Sequence, residues 1–435
     1  MTERKIISSW KDIAKYLGLE VRTAQRWEKD LQLPVFRIKK YNKTFVFAYC
    51  DELDKWIEEN ATRELGIKRQ FLKDKHLILG VVSVVLIALI IFFFSTVFPG
   101  WRHTIPSEFK IRGSDLLIYD ENGKQIWSYN TRLDLDPARY QHNKYMQSSG
   151  KSAQHINVFF KDIDKDKNLN VIFAVQTIDN SNERVLCLDK KGNPMWSFAA
   201  GKGIQYGNQL ISSDFDINRI RVEDVNNDGF FEIIVVASHK IYFPCRVSVL
   251  NNKGSVIGEY WNSGHLSCIE FLDLDIDGTE EIILGGLNNN YQKPCLVVLD
   301  PRNIAGSSPQ EMGTRYYSEE LGPGTEKYYL LIPRNEVGKL LGIYEFIPAV
   351  DLYKNKRIQI STSLSRVFYE FDYRLKPTYI HLGDEFNFKF KNLEREGKIS
   401  IPLSTVKANI LKSKILYWNG KAWTDKPTIS DLWKK

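Results

Sequence analysis

Residues 224–232 read Asp-Val-Asn-Asn-Asp-Gly-Phe-Phe-Glu and run directly into Ile-Ile-Val-Val-Ala. Acidic or amide side chains stand at the first, third, fifth and ninth places, and glycine at the sixth. Two other segments align with this one without gaps. Residues 162–170 read DIDKDKNLN before VIFAV, and residues 273–281 read DLDIDGTEE before IILGG. A worn fourth copy at 351–359, DLYKNKRIQ, leads into Ile360-Ser361. The starts lie 62, 49 and 78 residues apart. An Asp-rich loop that feeds an apolar strand at such intervals is the pattern of repeated small sheets, as in propeller blades with loop insertions.

A second repeated element alternates with these loops. YDENGKQIW (119–127), LDKKGNPMW (188–196), LNNKGSVIGEYW (250–261) and FDYRLKPTY (371–379) each join two short strands through a polar turn. An aromatic ends each second strand, and YWNGKAW (417–423) is a shorter version. Hairpins alternating with Asp-rich loops resemble the FG-GAP (VCBS-type) β-propellers found in integrin α heads. The resemblance covers most of residues 110–425. It implies an all-β propeller of five to seven blades.

The acidic loops have a chemical rationale. Carboxylates at places one, three and five of a tight loop converge on one point, and an acid at place nine closes the site. Oxygen-only anionic donors suit Ca²⁺. The expected ligands are Asp224, Asn226, Asp228 and Glu232 with the Phe230 carbonyl, and Asp273, Asp275, Asp277 and Glu281 with the Thr279 carbonyl. Lys167 and Asn170 weaken the first loop; Tyr353 and Lys356 spoil the fourth. An EF-hand is excluded, because its closing acid stands at place twelve between helices. Calcium is expected to be structural; the alternative is a set of metal-free Asx turns.

The 435 residues carry 60 Lys+Arg against 53 Asp+Glu, a formal charge of +7, and 43% hydrophobic residues, which excludes a disordered chain and a multi-pass membrane protein. Residues 77–98, LILGVVSVVLIALIIFFFSTVF, contain no charge. As a helix they would extend about 33 Å, enough for a hydrocarbon core. Five Lys+Arg in 63–76 against three in 99–112 favour an inside N-terminus. The expected organisation is a domain at 1–60, a basic juxtamembrane linker at 61–76, a transmembrane helix at 77–98 and an extracytoplasmic propeller at 99–435.

Residues 1–49 hold 11 Lys+Arg and 5 Asp+Glu, a net of +6, which places most of the excess positive charge there. Ser9-Trp10-Lys11-Asp12 fits a capping box opening a helix. Trp10, Ile13, Ala14 and Leu17 then recur at helical spacing, and Gly18-Leu19 makes a turn. In a second helix Val21, Ala24, Trp27 and Leu31 face one way, and Arg22, Gln25, Arg26 and Lys29 the other. Two strands follow, with Arg37 on the first and Lys39, Lys40 and Lys43 near the tip, then a helix with Leu53, Trp56 and Ile57 inward. Residues 8–58 resemble the winged helix-turn-helix of the MerR and excisionase type. The resemblance implies a small, mainly α domain that binds double-stranded DNA, with Arg22, Thr23, Gln25 and Arg26 on the recognition helix. Glu20 departs from the Ser or Thr usual as that helix's cap.

The combined expectation is a multidomain, membrane-anchored, one-component transcription regulator of a bacterial cytoplasmic membrane. It would act on DNA as a homodimer and bind an unidentified outer ligand or protein. The alternatives are an adhesion receptor whose inner domain recruits a protein, and a tethered propeller enzyme. No nucleophile elbow, zinc-protease or Walker motif is present, so no enzymatic activity is expected. Cys50 falls in the first domain; the four outer Cys allow three disulfide pairings, and buried free thiols are the reading preferred over these.

Overall fold

The computed structural model describes residues 4–40, 43–71, 105–140, 157–240, 243–353 and 356–433. The chain divides into two compact units, Met1–His103 and Thr104–Lys435.

The first unit runs β1 (Ile6–Ile7), α1 (Trp10–Tyr16), α2 (Val21–Leu31), β2 (Phe36–Lys40), β3 (Lys43–Tyr49) and α3 (Cys50–Phe71). Ser9 caps α1, accepting from the Asp12 amide at 3.1 Å. Glu20 makes no side-chain cap for α2. Ile13, Leu33, Ala48 and Leu53 form the core, with Trp27 and Trp56 packed on it, their ring centroids 5.7 Å apart. Val21, Leu31 and Ile57, expected inward, are exposed. The small, mainly α helix-turn-helix domain is also corrected. The short helices share the unit with a three-stranded sheet of order β1-β3-β2, in which Ile6 and Ile7 pair with Tyr49 and Ala48. The alternating aromatic and β-branched side chains of 44–49 favour a pleated strand, and a two-residue strand has no periodicity to announce it.

The expected membrane span, 77–98, lies outside the described residues. Among the described residues no helix is long and apolar enough to cross a membrane. Residues 61–71, expected as linker, continue the backbone of α3. The single-pass, membrane-anchored architecture and the localisation built on it are therefore withdrawn.

The second unit is a series of antiparallel sheets with strands in sequential order. The first contains β4 (Pro106–Arg112), β5 (Asp115–Asp120) and β6 (Gln125–Asn130); the second β7 (Val158–Lys161), β8 (Asn170–Val175), β9 (Arg184–Leu188) and β10 (Pro194–Ala199). A hairpin, β11 (Ile204–Tyr206) and β12 (Gln209–Ile211), precedes the third sheet. That sheet contains β13 (Phe215–Glu223), β14 (Glu232–His239), β15 (Cys245–Leu250) and β16 (Val256–Asn262). The fourth begins with β17 (Leu266–Leu272), β18 (Glu281–Asn288), β19 (Lys293–Leu299) and β20 (Tyr328–Leu331). After α4 (Glu336–Leu341), the fifth contains β21 (Val350–Tyr353), β22 (Arg357–Ser361), β23 (Val367–Phe371) and β24 (Pro377–Leu382). Helices α5 (Asp384–Arg395) and α6 (Leu403–Lys412) follow, and β25 (Leu416–Trp418) and β26 (Trp423–Thr424) extend the fourth sheet.

Successive sheets pack face to face. One apolar cluster joins the first and second, another the second and third, a third the third and fourth, and the last the fourth, the fifth and the two helices. Leading strands of neighbouring sheets approach one another, β4 to β7, β13 to β17 and β17 to β21. The fold is propeller-like, and five sheets lie among the described residues. Strands β8, β14 and β18 are covered on both faces, which is why residues 171–175, 233–237 and 282–287 read as unbroken apolar runs.

Candidate functional site

The three acidic loops connect the first and second strands of their sheets and share one bonding scheme. The amide of place six donates to the acid at place one: Lys167 to Asp162 at 2.9 Å, Gly229 to Asp224 at 2.8 Å, Gly278 to Asp273 at 2.9 Å. The amide of place seven donates to place five: Asn168 to Asp166, Phe230 to Asp228, Thr279 to Asp277. The amide of place two donates to place nine: Ile163 to Asn170, Val225 to Glu232, Leu274 to Glu281. Places four and six adopt positive φ in each loop, with Lys165 and Lys167, Asn227 and Gly229, and Ile276 and Gly278. The acids thus first satisfy the backbone of a tight turn.

What remains for a cation differs between loops. In 273–281 the carboxylates of Asp273, Asp275 and Glu281 converge within 4.8 Å. The ammonium of the buried Lys327 lies there, 2.6 Å from Asp275 and 2.5 Å from Glu281. The Trp433 ring covers it at 4.6 Å. Asp277 pairs with Arg302 at 2.8 Å. This loop carries an internal cation: of the expected ligands, Asp275 and Glu281 are paired with Lys327, Asp277 with Arg302, and Asp273 accepts the Asp277 and Gly278 amides. In 224–232 Lys165 reaches the Asp228 main-chain carbonyl at 3.3 Å, and among the described residues no lysine pairs with the acids. Asn226 and Asp228 bond one another, and one carboxylate oxygen of Asp224 is buried without a partner. Burial raises Glu232 to about 7 against the Val225 amide that favours its ionised form. Phe230 is exposed, and its ring carries the Lys165 ammonium at 3.6 Å. Loop 162–170, expected to be weakened by Lys167 and Asn170, brings Asp162, Asp164 and Asp166 within 4.8 Å of one another. An oxygen-only donor set thus fits a hard cation in part at 162–166, less closely at 224–232, where Asp224, Asp228 and Glu232 do not converge within 4.8 Å, and poorly at 273–281, where Lys327 already sits. The worn copy is a β-hairpin, Tyr353 pairing with Arg357.

Of the first unit's expected contacts, Arg22, Gln25, Arg26 and Lys29 are exposed along one side of α2, with Thr23 half-buried. Among the described residues none of these four takes part in an ion pair. Arg37 differs. Its guanidinium makes a two-pronged bond to Glu28 on α2, so its charge is neutralised internally. Lys39 is exposed; the side chains of Lys40 and Lys43 lie outside those described. The sequence reading missed Lys327 and the Arg37–Glu28 pair. Neither partner is signalled by local spacing.

No family model matches the chain, and no curated protein matches it. Neither the MerR-excisionase nor the FG-GAP resemblance gains support there, and nothing in the matched structures indicates DNA binding or transcription regulation. The solved structures that match include the Dos1 propeller, with 9% identity, a TM-score of 0.35, and 62% of this chain and 53% of that chain covered. BBS1N in complex with ARL6DN matches with 10% identity, a TM-score of 0.33, and 62% and 64% covered. A Bacteroides caccae protein of unknown function matches with 11% identity, a TM-score of 0.25, and 64% and 94% covered. The chain therefore spans less than two thirds of the first two. With scores this low, the propeller-like description rests on the sheets themselves.

Proposed function

We propose that the chain is a two-part binding protein rather than an enzyme. Its first unit would contact double-stranded DNA through the exposed side of α2, and its propeller-like unit would hold a separate ligand. The observation that carries the DNA reading is the stripe of Arg22, Gln25, Arg26 and Lys29, exposed together on one face. Arg and Gln present forked groups that match guanine and adenine edges, and Lys suits phosphate. One such unit spans a half-site, so a homodimer belongs to the proposal. Calcium at 224–232, with Asp162, Asp164 and Asp166 as a second position, is part of the proposal as a structural ion. Fluorescence anisotropy of the full chain on a mixed-sequence duplex tests the DNA part. Binding that weakens steeply with salt and in Arg26→Ala is expected; no binding at low salt refutes it.

One observation favours a second reading, recruitment of a protein by the first unit. Ile38 and Phe45, paired across β2 and β3, are 54% and 56% exposed. Exposed apolar pairs on a hairpin suit a protein surface. Loss of a partner in Phe45→Ser, with DNA binding absent throughout, would favour this reading.

A further inference from the structure

Strands of each sheet alternate in direction, so the acidic loops and the turns at 189–193 and 251–255 leave from one edge of the sheets. That edge is stitched to itself. Trp127 donates to the Lys190 carbonyl and Trp196 to the Asn252 carbonyl, each at 3.0 Å, and Lys165 reaches the Asp228 carbonyl at 3.3 Å. The opposite edge carries the β14–β15, β16–β17 and β18–β19 connections. There the structure opens into a cleft of about 620 Å³, a size typical of small-molecule sites.

Its walls are aromatic. Phe243 and Tyr316 meet edge to face at 4.9 Å, and His265 and Phe346 at 4.8 Å, while Tyr344 is 56% exposed. The polar lining groups are the Gln209 and Asn289 amides, His265 and the exposed Arg315, with no carboxylate among the lining residues. Arg315 lies over the Tyr316 ring at 4.7 Å and donates to its hydroxyl at 2.5 Å, and among the described residues no acid pairs with it. Burial and the neighbouring Arg219 guanidinium lower His265 to about 4, so it is neutral in ordinary buffers. Arg219 itself has a buried Nε without a partner.

We propose that this cleft binds a small organic acid, its carboxylate held by Arg315 and its flat apolar body seated against Phe243, Tyr316 and Phe346. The guanidinium fork matches a carboxylate, and stacking on Tyr316 limits the freedom it loses on binding. Walls built from aromatic rings favour a planar guest. The site lies wholly within the propeller-like unit and is independent of the DNA reading. The probes are 2-naphthoate and its neutral isostere 2-naphthamide, titrated calorimetrically into the full chain. Naphthoate should bind roughly ten-fold more tightly, as expected for one partly solvated charge-assisted contact. Arg315→Gln should bring the two affinities within about two-fold of one another. Tyr344→Ala should weaken both. Equal affinities on the unaltered chain, binding of neither probe, or a preference that survives in folded Arg315→Gln would each overturn the proposal. The unaltered chain decides even where a variant fails to fold.

Discussion

The two units treat their cations in opposite ways. In the propeller-like unit several buried or half-buried cations are tied to acids: Lys327 to Asp275 and Glu281, Arg246 to Glu259, Arg139 to Glu183, Arg302 to Asp277 and Asp300. In the first unit the cations of α2 face solvent, and Arg37, one strand away, is already neutralised by Glu28. Charge that a fold satisfies internally is structural. Charge left in a row without acidic partners is available to something outside. The same contrast recurs among the acidic loops, where one backbone scheme serves a loop holding its own ammonium and two loops that do not.

The largest effect tests the internal cation. Lys327→Met removes an ammonium whose partner Glu281 is fully buried. Leaving one ion of a buried pair uncompensated costs about 3–5 kcal/mol. Denaturant melts of the full chain should show that loss in the propeller transition. A cost under about 1 kcal/mol, the range of surface pairs, would mean that Lys327 is not integral to the loop.

A second effect comes from buried acids without a full counter-charge. Burial raises Glu326 to about 8, with the neutral Tyr260 hydroxyl beside its carboxyl. Burial also raises Glu183 to about 7 despite Arg139. A folded pKa raised above the unfolded value means that the folded state holds the proton more tightly. The stability from these groups is therefore fully present below about 4.5 and lost as pH rises through about 7 to 8. The propeller transition should occur at lower temperature at pH 8 than at pH 5. Glu326→Gln should flatten that dependence and raise the transition at pH 8 by about 2–4 °C for each kcal/mol recovered. A flat profile in the unaltered chain would place these acids in a wetter setting.

Smaller effects separate α2 from the strand beside it. Arg26→Ala should cost about 1–3 kcal/mol of specific DNA binding if Arg26 makes a bidentate base contact. Arg37→Ala should cost under about 0.5 kcal/mol, because Glu28 already neutralises it. Equal costs in a shift assay would erase the distinction between paired and unpaired cations. The smallest expected effect is calcium on thermal stability. A rise of a few degrees should vanish in Asp224→Asn and persist in Asp273→Asn, whose loop has Lys327. A rise abolished only by Asp273→Asn would reverse the assignment.

Much of the second unit was legible because its signals are local. Asp120, Asp189, Asn251 and Asp372 each accept from the amides two and four residues on, as the repeated hairpins implied. Trp127 and Trp196 lie over Gly192 and Gly254 of the next hairpin, whereas Gly258 stands at the matching place, with Ile304 packed where its Cβ would be. The ligand sets were legible only as turn chemistry, since the spacing that suits a cation also suits three backbone amides. Lys327 escaped because it lies in an insertion 46 residues from Glu281. The cleft escaped because its lining is drawn from residues between 209 and 346. The preference for free, buried thiols among the outer cysteines agrees with Cys187, Cys245, Cys268 and Cys295, and Cys50 is likewise free and buried.

The DNA proposal is tested most directly by the affinity of the full chain for duplex DNA as a function of salt. Three to five phosphate contacts from α2 and the hairpin would give a slope of log K against log salt of about −3 to −5. Lys29→Ala should make that slope shallower by about 1. Absence of binding at low salt, or binding indifferent to salt, would contradict a DNA-contacting role for the first unit.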